Sequence, residues 1–234
     1  MMKDTAVKAM FETIAPSYDF QNSFLSLRRD IYWRKVLAET LDVKEGGIVL
    51  DVAVGTAETA LAISLRHPQA RIVGVDFSPG MLVVGRKKIN DREHNSRISL
   101  TAGDGRRLPI RSNSVDAVTI SFGIRNVEER YLALGEFHRV LKAGGKLYIM
   151  EFSYPDQPQL HRLYRFYFDH ILPPLGNLIS RTNYAYSYLA ESVDSFPDDE
   201  AFSAEITAAG FADLNIKKLT FGISKIFQGR KEAQ

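Results

Sequence analysis

Three acidic residues and one glycine in this chain are spaced as a nucleoside site would space them. Asp51 lies in a short apolar run, Ile48 to Ala53, and Gly55 follows that run. Asp76 ends a second run, Arg71 to Asp76. It stands roughly 20 residues beyond the glycine, where a carboxylate at the tip of a second strand accepts hydrogen bonds from both hydroxyls of a ribose. A helix-capping or surface role is the competing reading of Asp76. Asp104-Gly105 follows a third run and Ser121 ends a fourth, although Asp-Gly is also a common turn.

The elements that would carry these residues alternate. Apolar segments at 48–53, 71–76, 98–101, 115–121 and 146–152 read as strands. Helical segments at 56–67, from Ser78-Pro79 onward and at 128–141 separate them, with Ser78 as N-cap and Pro79 in the first helical position. Nearly all-apolar strands alternating with helices predict a doubly wound, mostly parallel α/β sheet covered on both faces. Before it, the apolar spacing of Val7, Met10, Phe11 and Ile14 predicts a helix ended by Pro16, and a second helix is expected from Asn22 or Ser23 to Leu41. After it come an aromatic-rich segment at 158–193, a helix at 198–209, and two closing strands, 211–220 and 221–228, in antiparallel pairing. The expected organisation is one domain over 1–234. It comprises an N-terminal helical cap (1–45), a cofactor-binding core (46–153), a lid insertion (154–195) and a C-terminal helix with strands (196–234).

In open parallel sheets a ligand binds beyond the carboxyl ends of the strands. A dinucleotide would ask for G-x-G-x-x-G at the first of these ends; Ala53 to Glu58 holds only Gly55, and no phosphate-binding G-x-x-x-x-G-K-[ST] occurs. S-adenosylmethionine has the adenosine without the pyrophosphate, and its ammonium and sulfonium suit Asp51 near the loop.

Composition narrows the rest. Of 234 residues 45% are hydrophobic and 25% charged, which is enough to bury a core. Lys plus Arg at 30 against Asp plus Glu at 28 leaves a net charge of +2, so nothing calls for a nucleic-acid partner. The absence of cysteine removes disulfides, thiolate catalysis and Cys-ligated metal, and suits a cytoplasmic protein. No run approaches the 20 or so apolar residues of a spanning helix, and no secretory signal opens the chain.

Several blocks together resemble a known family over roughly Val7 to Gly229: Met10 to Asp19; Val73-Gly74-Val75-Asp76 with Ser78-Pro79-Gly80-Met81-Leu82; Ser121-Phe122-Gly123-Ile124-Arg125-Asn126-Val127; Arg139 to Lys142 with Gly144-Gly145; Glu151-Phe152-Ser153; Tyr186 to Ser192; and Leu219 to Ile223. The chain is similar to the ubiquinone/menaquinone biosynthesis C-methyltransferases, of the demethylmenaquinone methyltransferase type, which methylate a polyprenylated quinol with S-adenosylmethionine. The resemblance implies the class I methyltransferase fold and cofactor contacts at Thr56, Asp76, Asp104 with Gly105, and Ser121. Two departures stand out. The family's first loop usually reads Gly-Gly-Thr-Gly; here it is Val54-Gly55-Thr56-Ala57, and the added Cβ atoms are expected to crowd the cofactor's approach. Arg106 stands where the family often has Glu.

Methyl transfer to carbon needs no metal. A quinol ring carbon becomes nucleophilic when a neighbouring hydroxyl loses its proton, so a fixed cation near the oxyanion lowers the barrier. Arg125, just past the fourth strand, is the candidate for that role, with a structural ion pair as the competing reading. His138, His161, His170, Tyr18 and Tyr184 are candidate bases, none singled out. The N-terminal helices and the aromatics of 164–188 are expected to cover a flat ring. The substrate lives in the bilayer, so peripheral contact with the inner face of the cell membrane is expected without an anchor. The reaction implied is demethylmenaquinol to menaquinol. A methyltransferase with another small acceptor and an inactive scaffold of the same fold are the alternatives. The ring system, tail length and any homo-oligomer are left open.

Overall fold

The structure, a computed structural model, describes residues 2–94, 96–167, 170 and 185–232. Among these, seven strands form one sheet: β1 (Ile48–Val52), β2 (Arg71–Asp76), β3 (Ile98–Ala102), β4 (Val115–Ser121), β5 (Leu141–Phe152), β6 (Phe211–Leu219) and β7 (Ser224–Lys231). Their order is β3-β2-β1-β4-β5-β7-β6. The five strands from β3 to β5 are parallel, and β7 runs antiparallel between β5 and β6. Chain order reverses between β1 and β4, so the crevice at the carboxyl ends of these strands is where a ligand belongs.

The helices are α1 (Met2–Ile14), α2 (Tyr18–Leu25), α3 (Arg29–Thr40), α4 (Glu58–Arg66), α5 (Pro79–Asp91), α6 (Arg130–Val140), α7 (Pro158–Phe166), α8 (Ala185–Asp194) and α9 (Asp199–Ala208). Side-chain alternation along the strands divides the core in two. Val49, Ile72, Ala117 and Met150 pack with α3, α4 and α5 on one face. Leu50, Val75, Val118 and Ile149 pack with α6 and α9 on the other. A third, smaller cluster joins Ile14 and Ala15 to Met81 and Val193, seating α1 against α5 and α8.

Three local expectations need correction. The helix expected from 22 or 23 to 41 is two helices, parted by Leu27 (φ 50°) and Arg28 (φ 63°) in left-handed backbone. The Ser26 hydroxyl accepts the Asp30 amide at 3.2 Å and donates to the Asp30 carboxylate at 2.9 Å, the local bonding with which serine draws backbone out of a helix. The strand expected to begin at Lys146 begins at Leu141, because Gly144-Gly145 forms a bulge against β4 rather than a break. Between β6 and β7 the tight turn is a 3₁₀ turn, Thr220–Gly222, with Phe221 at φ 59°. Of the aromatic insertion, Phe168 and Tyr184 lie outside the described residues.

The first loop departs from expectation in a way that bears on the site. Ala53, Gly55 and Ala57 are all left-handed, at φ 51°, 54° and 67°. Val54 between them is not, so its position asks for no glycine. Val54 is buried and packs into the core, and Ala57 is fully buried. The added Cβ atoms therefore point away from the ligand crevice and do not crowd it. Space for Val54 comes from Gly74 on β2: a Cβ there would meet Val54 Cγ2 at 2.8 Å and Leu100 Cδ2 at 2.6 Å. Ala57 carries the left-handed cost that a side chain adds, about 1–2 kcal/mol. Ala57→Gly is accordingly expected to raise stability by up to about 1 kcal/mol, and Val54→Gly to lower it by about 1–3 kcal/mol through the void it leaves. Chemical denaturation of the two variants checks the opposite signs; a stabilising Val54→Gly would show that Val54 is strained.

Candidate active site

Two adjoining cavities open at the carboxyl ends of the parallel strands. The smaller, about 130 Å³, is lined by Gly55, Asp76, Asp104, Gly105, Ser121 and neighbouring residues. The larger, about 530 Å³, is walled by aromatic and aliphatic side chains, among them Phe11, Tyr18, Trp33, Phe122 and Tyr164. Phe11, Tyr18 and Phe122 face both.

Around the smaller cavity the sequence-predicted residues come together, with particular partners. Asp76 is buried; its Oδ2 accepts the Gly55 amide at 2.7 Å and its Oδ1 the Ser78 amide at 2.9 Å. The carboxylate thus ties the first loop to the end of β2. Burial, with Glu12 adding repulsion, raises its pKa, while those two amides pull the other way. Asp104 is forked onto Arg106, with Nη2 to Oδ2 at 2.7 Å and Nε to both oxygens at 3.1 Å, and this pairing holds its carboxyl below the usual range. Ser121 Oγ is buried without a hydrogen-bond partner among the described residues.

Asp51 and Thr56 line neither cavity. Thr56 is buried, and its hydroxyl donates to Asp19 of α2 at 2.5 Å. Asp19 also pairs with Lys88, which in turn reaches Glu58 at 2.8 Å. Asp51 accepts the Thr119 hydroxyl at 2.7 Å, and its Oδ2 is buried without a hydrogen-bond partner at bonding geometry among the described residues. Burial pushes the Asp51 carboxyl up to about 7, against the pull of Thr119 and of the Arg34 charge.

Arg125 lines the larger cavity. It occupies a 3₁₀ turn, Ile124–Asn126, just past β4. Its Nη1 meets Glu151 Oε1 at 2.7 Å and the Phe122 carbonyl at 2.6 Å, its Nε donates to Ser192 Oγ on α8 at 3.2 Å, and the guanidinium lies 5.3 Å from the Phe152 ring centroid. Glu151 has no solvent exposure and Arg125 little. Beside it, the Asn126 amide oxygen accepts the Tyr188 hydroxyl at 2.9 Å. Of the candidate bases, Tyr18 lines both cavities; His138, His161 and His170 line neither, and Tyr184 is outside the described residues.

Some site residues were not anticipated. Glu151, a carboxylate inside the apolar run 147–152, is itself a signal in the sequence. Glu12 accepts the Ser78 hydroxyl at 2.9 Å and the Gly80 amide at 3.0 Å, holding α1 to the start of α5. Asp30 and Arg34, paired at 2.7 Å and both buried, stand in the wall of the larger cavity. Nothing in one sequence links Glu12 to partners 66 and 68 residues away, whereas Asp30 and Arg34 lie one helical turn apart.

Residues 1–231 match the model of the ubiE/COQ5 methyltransferase family. The chain belongs to that family. It is 44% identical over 230 residues, covering 98% of this chain and 97% of the relative, to the "Ubiquinone/menaquinone biosynthesis C-methyltransferase UbiE" of Geobacter sp. (strain M21). It is 42% identical over 220 residues, 94% of this chain and 99% of the other, to the "Demethylmenaquinone methyltransferase" of Thermus thermophilus. Among solved structures it is similar to a SAM-dependent methyltransferase from Thermotoga maritima, with a TM-score of 0.69 at 19% identity, covering 96% of this chain and 99% of that one. It is similar also to a phosphoethanolamine N-methyltransferase of Haemonchus contortus solved with S-adenosyl-L-methionine, at TM-score 0.63, 16% identity, and 84% and 51% coverage. The fold is that of the class I S-adenosylmethionine-dependent methyltransferases, and the chain is an S-adenosylmethionine-dependent C-methyltransferase.

The smaller cavity suits that cofactor. It combines two carboxylates, glycine backbone and a buried unpartnered hydroxyl at the sheet's switch point. It adjoins the larger cavity across Phe11, Tyr18 and Phe122, so a ligand seated in it can reach the larger one.

Asp51 supplies a pH test. Its folded pKa of about 7 exceeds the ordinary 3.8, so the native state holds a proton that the unfolded state has lost between these values. Stability from this group is full below about pH 4 and declines until about pH 7. Asp51→Asn removes the titration, so its stability relative to the unsubstituted protein is expected to climb across that window by up to about 4 kcal/mol. Thermal melts of both proteins from pH 4 to 8 read the difference, and a flat difference would assign the slope elsewhere.

Proposed function

We propose that the enzyme methylates a ring carbon of a polyprenylated quinol, demethylmenaquinol, to give menaquinol, with Gly55, Asp76, Asp104, Gly105 and Ser121 forming the cofactor site, Asp51 and Thr56 supporting it from outside the cavity, and Arg125 acting on the acceptor. The observation that carries this reading is the larger cavity: an apolar, aromatic-walled space beside the cofactor crevice, with a buried guanidinium in its wall. The names of the relatives support the same acceptor.

S-adenosylmethionine, when bound, supplies an electrophilic methyl group. The chain's own residues do the rest. Aromatic faces hold a flat ring and exclude water, so charge formed on the ring is not quenched by solvent. Arg125 stabilises the oxyanion left when the quinol hydroxyl beside the reacting carbon loses its proton. Three of its contacts fix the guanidinium before substrate arrives, so little reorganisation is needed as charge develops. Residues 1–45, with α7 and α8 of the 154–195 segment, serve as the cover over the 46–153 core within one domain. The protein works in the cytoplasm at the inner face of the membrane.

Purified protein given methyl-labelled S-adenosylmethionine and a short-chain demethylated naphthoquinol is expected to label the ring carbon. Failure with both naphthoquinol and benzoquinol acceptors would remove the quinol reading.

Arg125 supports both the chemistry and the fold, and a pair of variants separates the two roles. Arg125→Ala is expected to lower turnover by about 10²-fold or more and, by leaving Glu151 buried and unpaired, to cost about 3–5 kcal/mol of stability. Arg125→Ala combined with Glu151→Gln should recover most of that stability and none of the turnover. Normal turnover in the restored double variant would make Arg125 a structural residue only.

A further inference from the structure

The mouth of the larger cavity is ringed by large apolar side chains turned to solvent. Leu27 is 83% exposed, Phe221 71%, Leu163 66% and Phe166 54%, and all four also line the cavity. They come from three separate places: the turn between α2 and α3, the 3₁₀ turn between β6 and β7, and α7. Phe20 and Phe24 on α2 are also exposed, their rings stacked at 6.0 Å, as are Ile31 and Tyr32 on α3. Monomeric proteins seldom leave so many large apolar side chains together in water unless something covers them. Leu27 and Phe221 are, moreover, held out by left-handed backbone, φ 50° and 59°. A bulky residue in that conformation costs free energy, and such strain concentrates at functional segments.

Cations predominate beside this rim, and the half-exposed carboxylates near it are paired, Asp156 with Lys218 and Lys225 and Asp194 with Arg165. In 18–35 the acidic residues are engaged inward, Asp19 with Thr56 and Lys88, Asp30 buried with Arg34. Arg28, Arg29 and Lys35 are exposed. Along α7, Arg162 and Arg165 are exposed, Arg165 pairing with Asp194 of α8 at 3.4 Å. Apolar side chains flanked by basic ones suit the headgroup region of an anionic bilayer.

We propose that this rim is a membrane-docking surface: Leu27, Leu163, Phe166 and Phe221 enter the interface of a bilayer carrying anionic lipid, with Phe20 and Phe24 beside them, and Arg28 and Arg162 meet the headgroups. The purpose rests on the quinol reading above. A cavity of about 530 Å³ is the size of a site for one drug-sized molecule; it takes a ring and the start of a tail. A long prenyl tail must leave through the mouth, and a mouth seated on the bilayer lets the tail stay in hydrocarbon while the ring enters.

The test is flotation of the full chain with vesicles of phosphatidylcholine alone or with phosphatidylglycerol. Unsubstituted protein should bind the anionic vesicles and bind neutral ones more weakly. Phe20→Ser/Phe24→Ser and Arg28→Glu/Arg162→Glu, none of which lines a cavity, should each lower binding to anionic vesicles at least tenfold. Both should keep their melting temperatures and their turnover of a short-chain, water-soluble quinol. Absence of vesicle binding, binding equal in all variants, or a concentration-dependent dimer that these substitutions break without affecting lipid binding would each overturn the docking surface. The soluble-quinol assay is independent: vesicle binding without quinol methylation would sink the acceptor assignment and leave the surface standing, and the converse result would do the reverse.

Discussion

Glu151 sits at the end of β5 without solvent access, and a carboxylate so placed is tolerable only with a partner at hydrogen-bond distance. Arg125 is that partner, and its position imposes order on everything nearby. To reach Glu151 the chain leaving β4 must turn at once, which it does through the 3₁₀ turn holding Arg125 and Asn126. The same guanidinium takes the Phe122 carbonyl and the Ser192 hydroxyl, and the Asn126 side chain takes the Tyr188 hydroxyl. One buried pair therefore joins β4, β5 and α8, so part of the larger cavity's wall is rigid scaffold and not loop. Such pairs contribute little net stability compared with apolar packing, and their loss on one side is expensive. That asymmetry makes the arrangement specific: no rotamer of Arg125 that abandons Glu151 is affordable.

The first loop is governed by backbone and not by charge. Left-handed residues at 53, 55 and 57 turn the chain from β1 into α4, and only one of them is glycine. Val54 is accommodated because Gly74 on the neighbouring strand presents no side chain. The two positions act as one packing unit, and the glycine missing from the loop is matched by one beneath it. Asp76, one residue from the end of that packing, then fixes the loop's amide from the other side.

The strands were legible because a parallel sheet buried on both faces writes itself as continuous apolar runs, and the ligand crevice followed from where those runs end. Asp76, Asp104 and Ser121 were found that way. What could not be read was any event settled by a distant partner. The division of α2 from α3 depends on left-handed Leu27 and Arg28, residue types that give no hint of it, where glycine would have. The direction of the Val54 side chain depends on Gly74. Thr56 looked like a ligand-facing hydroxyl, and it is covered by Asp19 from a helix that the sequence places 37 residues earlier. Arg125 was legible as a cation beyond β4, but its dependence on Glu151 was not, since the pair spans 26 residues and two strands.

The two cavities share walls. Phe11 and Tyr18, on α1 and α2, face both. These helices are attached to the rest of the fold by apolar packing of Ile14 and Ala15 on Met81 and Val193 and by polar contacts: Glu12 to Ser78 and Gly80, and Asp19 to Thr56 and Lys88. A displacement of α1 or α2 would reshape both cavities through the same two rings. The hydrogen bonds of Glu12 and Asp19 oppose it. These are charge-assisted hydrogen bonds at partly buried sites, each worth roughly 1.5–3 kcal/mol, strong enough to order the helices and weak enough to be exchanged. The N-terminal segment, remote in sequence from the strand ends, is thus an element that walls both cavities at once.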